Sequence, residues 1–343
     1  MFTTLADTIE MKPIMNFAFH SKKIKPKPSV VYDTYWKFAA KRQDIFFNRL
    51  DGNPPPWTSD PVLKTYKFTN VYRATDRTSQ FLIEDVIYKG NQEPIEILFR
   101  ILLFKLFNKI ETWKLINKSV GEVTYENYKY NTYDKILTLA RAKGIPIYSG
   151  AYIMASGQSM FEQTYKHQNH LKLIEYILKS GFCHRITEFA NMDMLYSELL
   201  KFPTIGTFLA FQLAIDINYS NLTNFSEMEF VKAGPGARDG IRKCFTDLGD
   251  YSEEDAIKLI SEIQFDEFDR LGLQFKSLWG RPLQLIDCQN VFCEVDKYSR
   301  IVHPTIEGIS KRSRIKQKFS PSTIRPVNYF FPPKWGINPI NPH

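Results

Sequence analysis

The stretch that most constrains this chain is PIEILFRILLFKLF, residues 94–107. A nearly unbroken apolar run cannot face water, so it becomes either a membrane span or an interior helix. Arg100 and Lys105 interrupt it, and its apolar window ILFRILLFKLF is too short for a bilayer. The spacing therefore predicts a buried helix over 93–117, which needs other helices around it. Apolar residues recur at helical spacing over 32–50, 62–89, 132–143, 157–180, 185–200, 205–218 and 253–271. Strand signals are weak. IPIYSGAYIM (145–154) and LQLIDCQNVFCEV (283–295) fit short strands, and the second fits a helix equally well. No period of 20–50 residues recurs. The expected class is mostly α, with few short strands.

The 343 residues are 43% hydrophobic, enough for a sizeable core. Three parts are expected. Residues 1–28 form a basic arm carrying KKIKPKP. Residues 29–310 form a helical domain, with room for two lobes and a cleft. Residues 311–343 form an irregular tail, basic in KRSRIKQK and then rich in Pro and Asn. The net charge of +8 suits a polyanion partner. Cys183, Cys244, Cys288 and Cys293 show no CxxC or zinc spacing, which reads as free thiols in a reducing compartment. With no secretory signal and no membrane span visible, a cytoplasmic monomer is expected. His167 and His170 sit three apart without a third ligand, so no metal is expected, and no cofactor either.

One turn raises a sharper question. FPTIGTFLAFQLAIDI (202–217) places Pro203, Thr204, Ile205, Gly206 and Thr207 before a long apolar helix, where a Ser, Asp or Asn cap is more usual. Small residues there leave backbone N–H groups bare, a ready phosphate site. The other reading is a tight helix–helix turn. A second loop, VKAGPGARDGIRKCF (231–245), offers Gly234 and Gly236 beside Arg238, Arg242 and Lys243, again suited to phosphate or to a plain glycine-rich connection. GxxxxGK[ST] occurs nowhere in the chain, which disfavours a P-loop kinase.

Four acids lie on or between these segments: Asp216, Glu227, Glu229 and Asp239. Any of them could stabilise a cationic sugar centre and orient a water. Asn70, Arg73, Asp76 and Arg77 crowd into an otherwise apolar pattern, and Asp287, Glu294 and Lys297 share a helical face with Asn290. Both groups could line a base pocket. Structural ion pairing accounts for them equally well.

The Pro-Thr-Ile-Gly turn between two predicted helices resembles the hairpin of helix-hairpin-helix DNA glycosylases, with Thr204 where that motif has its first glycine. In that motif the catalytic Asp follows by about 20 residues, a count that lands here near Ser226 and Glu227. The order of segments resembles a family more specifically. YWKFAAKRQDIFFNRL, PWTSDPVLKTYKFTNVYRATDR, ILFRILLFKLFNKIETWKLI, YSGAYIM, FPTIGTFLAFQLAIDINYS, AGPGARDGIRKCF and LIDCQNVFCEVDKYSR, in that order, are similar to the helical domain of 5-hydroxymethyl-deoxyuridine DNA kinases and α-glutamyl/putrescinyl-thymine pyrophosphorylases. The resemblance covers roughly residues 30–320. It implies a helix-hairpin-helix glycosylase-like fold and a pocket for a modified pyrimidine of phage-type DNA, extruded from the stack.

Three activities follow as expectations. The leading one is a DNA glycosylase acting on a hydroxymethylated, glucosylated or hypermodified pyrimidine, in anti-phage defence. The alternatives are a base-hypermodifying kinase or transferase, and a non-catalytic reader of modified DNA.

Overall fold

A computed structural model describes residues 24–150, 154–320 and 328–337. Among them are fifteen α-helices and one two-stranded sheet. The principal helices are α1 (Tyr32–Leu50), α2 (Pro94–Phe107), α3 (Ile110–Val120), α4 (Tyr130–Ala142), α5 (Lys166–Lys179), α6 (Met192–Leu199), α7 (Thr207–Asn218), α8 (Pro235–Cys244), α9 (Glu253–Glu262) and α10 (Leu285–Val302). The fold is mostly α, as its apolar periodicity predicts. Strand β1 (Lys27–Pro28) pairs antiparallel with β2 (Phe245–Asp247).

Helix α2 is the buried element expected. From Glu96 to Phe107 every residue is buried. Its two cations are not errors in an apolar pattern. Arg100 donates from Nε to the Val86 carbonyl (2.7 Å) and from Nη2 to that of Ile87 (3.1 Å), and Lys105 pairs with Asp216. The predicted single helix over 93–117 breaks at Asn108, which takes the left-handed conformation (φ 46°) that Asn tolerates.

The helix expected over 62–89 is broken, continuous only from Arg77 to Ile87. Short pieces at Pro61–Thr65, Arg73–Thr75 and Arg77–Phe81 are followed by a π-helical turn at Leu82–Ile87. Side chains from elsewhere capture the backbone between them. The Thr69 N–H donates to Glu294 (3.1 Å), that of Asn70 to Asp76 (2.8 Å) and that of Arg73 to Asp287 (2.8 Å). These bonds replace the helical ladder. Residues 145–150 carry no strand, and residues 151–153 of that expectation lie outside the described residues. The second strand candidate is helix α10, started by a reciprocal cap between Gln284 and Asp287.

Helices α8 and α10 pack most closely. A Cβ at Gly240 would lie 2.0 Å from the Phe292 carbonyl oxygen, and one at Gly236 would lie 3.0 Å from Cys293 Sγ. The glycines of the AGPGARDG loop thus serve helix packing first. Helices α6 and α7 form the expected hairpin across residues 200–206, and Asn191 caps α6 by accepting from the Met194 N–H (3.0 Å).

Of the N-terminal arm, residues 1–23 lie outside the described residues. The described tail is more than a surface coil. Phe331 is fully buried, and Lys334 Nζ donates to the carbonyls of Asn218 (2.5 Å), Ser220 (2.9 Å) and Thr223 (2.6 Å) just past α7. No described helix is long and apolar enough to cross a membrane. The four cysteines are free thiols.

Candidate functional site

Two helices begin side by side without a side-chain cap. Helix α7 starts on Gly206 and α8 on Gly234, followed by Pro235 at the first helical position. Both starts border a cleft of about 240 Å³. Thr207, Phe208, Phe211 and Gln212 of α7 and Gly234, Pro235 and Arg238 of α8 line it. Tyr196, Lys232, Ala233, Glu254 and Gln289 complete it. Gly206, Thr207 and Arg238 are exposed, and Lys232 is half-buried, with its ammonium 5.6 Å from the Phe230 ring centroid. Helix N-termini carry partial positive charge, so two of them beside two cations favour an anion. A Cβ at Gly234 would come within 3.3 Å of Gln289 and 3.4 Å of Phe208, so glycine keeps this wall close.

Within the turn, the unusual backbone belongs to Thr204 (φ 66°), while Gly206 has φ −81°, open to most residues. The left-handed conformation thus falls where the glycosylase hairpin has its first glycine. Pro203 and Thr204 are half-buried and Ile205 is buried, anchoring the turn by its apolar residue.

Behind the cleft lies a closed ionic knot. Gln212 Oε1 accepts from Arg73 Nη2 (3.1 Å), and the same nitrogen donates to Asp216 Oδ1 (2.6 Å). Arg73 Nη1 donates to the Tyr219 hydroxyl (3.0 Å), and Lys105 Nζ lies 2.7 Å from Asp216 Oδ2. Burial alone would raise the Asp216 carboxyl, yet Arg73 and Lys105 hold it below the usual carboxylate range. Burial brings Lys105 down to about 8 against the pull of Asp216. Asp287, which accepts from the Arg73 and Gln284 N–H groups, is pushed by burial up to about 7.

The four acids expected at the reaction centre do not meet at the cleft. Asp216 is fully buried in the knot. Glu227 is buried against Arg281 (2.9 Å), and burial raises its carboxyl despite that pairing. Asp239 is buried and accepts from the Ser310 N–H (2.8 Å), the Ser310 hydroxyl and Arg312 Nη2 (2.8 Å). Glu229 is exposed and is not part of the cleft lining. The carboxylate that does line it is Glu254, which accepts from the Ala233 N–H (3.1 Å).

Among the expected phosphate contacts, Thr207, Gly234 and Arg238 come together at the cleft, with Gly206 just before Thr207 in the chain. Lys243 is 2% exposed and paired with Asp296 (3.1 Å), so its ammonium is out of a strand's reach. Arg242 is exposed but pairs with Glu253 (3.0 Å), and Gly236 sits against Cys293.

The expected base-pocket residues are engaged in contacts away from the cleft. Asn70 Nδ2 donates to the Thr75 carbonyl (2.7 Å), Glu294 pairs with Lys297 (2.7 Å), and Arg77 pairs at the surface with Glu111 (3.0 Å). None of Asn70, Arg73, Asp76, Arg77, Asp287, Glu294 and Lys297 lines the cleft. His167 and His170 are buried, bonded to Asp134 (2.9 Å) and to the Tyr148 hydroxyl (2.9 Å) respectively.

Sequence reasoning missed Gln212, Lys232, Glu254 and Gln289. Part of the signal was present: Phe208 and Gln212 stand four apart, on one face of a helix whose start had drawn attention. Gln289 and Glu254 reach the cleft through tertiary packing, which no local pattern shows.

The architecture defines a helical domain with a surface hairpin and a cationic cleft at its mouth. Residues 29–308 match the family model described as "5-hmdU DNA kinase, helical domain", and the chain belongs to that family. It is 26% identical over 288 residues to a 5-hmdU DNA kinase of Bacillus phage SP10, covering 78% of this chain and 45% of the relative. The chain therefore spans less than half of that relative's length. No solved structure matches.

Proposed function

We propose that this chain holds DNA carrying a 5-hydroxymethyl pyrimidine and presents that base for phosphoryl transfer to its hydroxymethyl oxygen. The cleft carries the reading: two helices without side-chain caps start at its border, with Lys232 and Arg238 beside them. The strand's phosphate sits at the helix starts, and the extruded base enters between Phe208, Gln212 and Gln289. Amide side chains suit the hydrogen-bonding edge of a pyrimidine.

In the transfer, the hydroxymethyl oxygen bonds to the donor's terminal phosphorus as the bond to the leaving phosphate breaks. In this reading Glu254, which lines the cleft, receives the hydroxyl proton. No GxxxxGK[ST] loop occurs in the chain, so the reading gives it the acceptor side, and the donor nucleotide belongs to another segment or chain.

The family relative favours this over base excision. So does the burial of Asp216, Glu227 and Asp239 in ion pairs, which leaves none of them beside a sugar.

The test has two parts. Oligonucleotides with 5-hydroxymethyluracil or thymine at one position are compared for binding, with tighter binding to the modified strand expected. Nucleosides are then analysed by mass after incubation with ATP and the donor-site partner. A gain of one phosphoryl group supports the proposal. Abasic sites would return excision to first place, and equal affinity for the two strands would remove the modified base from the account.

A further inference from the structure

We propose that a second cavity, apart from the cleft, is a site for a single nucleotide. It lies between α1 and the proline-rich loop after it, holds about 270 Å³, and is walled by Trp57, Tyr66 and Phe319, with Arg42, Arg49 and Lys64 among its lining residues. Among the described residues, no carboxylate lines it. This inference does not depend on the reading of the cleft, since either site can fail alone.

Arg42 sets a fixed charge beside this cavity. Its side chain is 8% exposed, Nε donates to the Thr69 carbonyl (2.9 Å), and Nη2 donates to Asn70 Oδ1. Two bonds hold the fork, and Nη1 is buried too deeply to touch a ligand itself. Its charge still favours an anion in the cavity.

The aromatic walls are held in place too. Trp57 Nε1 donates to the Asn53 carbonyl (2.7 Å), and Arg49 lies 5.2 Å over the indole. The Phe319 N–H donates to the Thr65 carbonyl (2.9 Å) and the Lys67 N–H to that of Gln317 (3.0 Å), which pins the segment bearing Phe319 beside Tyr66. Fixed rings take a planar heterocycle by stacking, with little regard to which base it is. Arg49 and the exposed Lys64 add two cations for a phosphate. The volume sits below the usual range for larger ligands, which fits one nucleotide rather than two.

A free nucleotide and one nucleotide of a single strand share this chemistry, and titration calorimetry of the full chain separates them. The probes are dTMP, 5-hydroxymethyl-dUMP, ATP and a five-residue single-stranded DNA. Binding of a mononucleotide assigns the site to free nucleotides, and binding of the oligonucleotide alone assigns it to a strand. In either case Trp57→Ala should weaken affinity about tenfold or more and Lys64→Glu several-fold, with thermal midpoints held near wild type. No binding of any probe overturns the proposal. So does affinity unmoved by W57A and K64E, or affinity lost in Arg238→Glu instead, which would place the ligand in the cleft.

Discussion

Helix α7 behaves oppositely at its two ends. Its start, at Gly206 and Thr207, is exposed and uncapped at a cleft lined by Lys232 and Arg238. One to three turns further on, Gln212 and Asp216 enter a knot in which Arg73 and Lys105 flank one carboxylate and solvent is absent. Both ends carry polar residues in an apolar sequence, and both drew functional expectations. Burial and pairing separate them. At the closed end the charges satisfy each other, so removing one leaves the others stranded. At the open end the groups have room for an outside anion, so removing one costs binding and leaves the fold alone.

The knot gives the largest expected effect. Asp216→Ala leaves Arg73 and Lys105 buried without their carboxylate, and breaking a buried pair this way costs about 3–5 kcal/mol. Urea unfolding should show that loss, or a chain that no longer folds. A variant of near-normal stability would mean that the knot is open to water and that Asp216 is again a candidate for chemistry.

Next comes the contact that holds one wall of the cleft. Gly240→Ala would place a methyl 2.0 Å from the Phe292 carbonyl oxygen, inside the closest helix pair of the fold. Helices α8 and α10 must separate, at about 1–3 kcal/mol by analogy with overpacked cores. A neutral result would show that this pair has slack, and that the cleft is less fixed than Gly234 and Gln289 suggest.

The open end is tested by charge. Reversing both cations, Lys232→Glu with Arg238→Glu, should weaken DNA binding by about 10–100-fold and lower the salt slope by about 2. Stability should move by no more than about 0.5 kcal/mol, as for surface changes generally. If binding holds while stability falls, the two ends of α7 have been assigned the wrong way round.

Much of this division was legible in the chain, and its limits are physical. The apolar run with Arg100 and Lys105 signalled a buried helix because hydrophobic period is local. The turn at 203–206 signalled a surface corner because Pro and Gly act on their own backbone. Which acids would face solvent was not legible. Asp216, Glu227 and Asp239 find Arg73, Arg281 and Arg312 at sequence separations of 143, 54 and 73 residues, and only the folded chain sets those pairings. The segment at 69–76 misled for the same reason: distant Glu294 and Asp287 take its N–H groups, overriding local helix preference.

Asp287 sharpens the closed end by titration. Its carboxyl is raised by burial from the ordinary 3.8 to about 7, so between those values the folded chain binds more protons than the unfolded one. Stability contributed by this group therefore falls as pH rises from about 4 to about 7, then levels. Asp287→Asn cannot ionise and loses that slope. The stability gap between wild type and D287N should narrow from pH 4 to pH 7 in chemical denaturation. A gap that widens would place Asp287 among charges that stabilise its ionised form.

The smallest effect belongs to an ion pair that looks much like the knot when written as residues. Arg77 and Glu111 approach to 3.0 Å, yet their side chains are 78% and 59% exposed, against 9% and 0% for Arg73 and Asp216 at 2.6 Å. Water solvates the surface pair almost as well after separation, and salt screens what attraction is left. Arg77→Ala should therefore change stability by less than about 0.5 kcal/mol and leave DNA affinity within about twofold, since Arg77 lies outside the cleft lining. A large loss of affinity with stability intact would extend the strand's path from the hairpin to the start of the Arg77–Phe81 helix. That result would give Arg77 a contact with the strand in place of the base-pocket role its sequence position suggests.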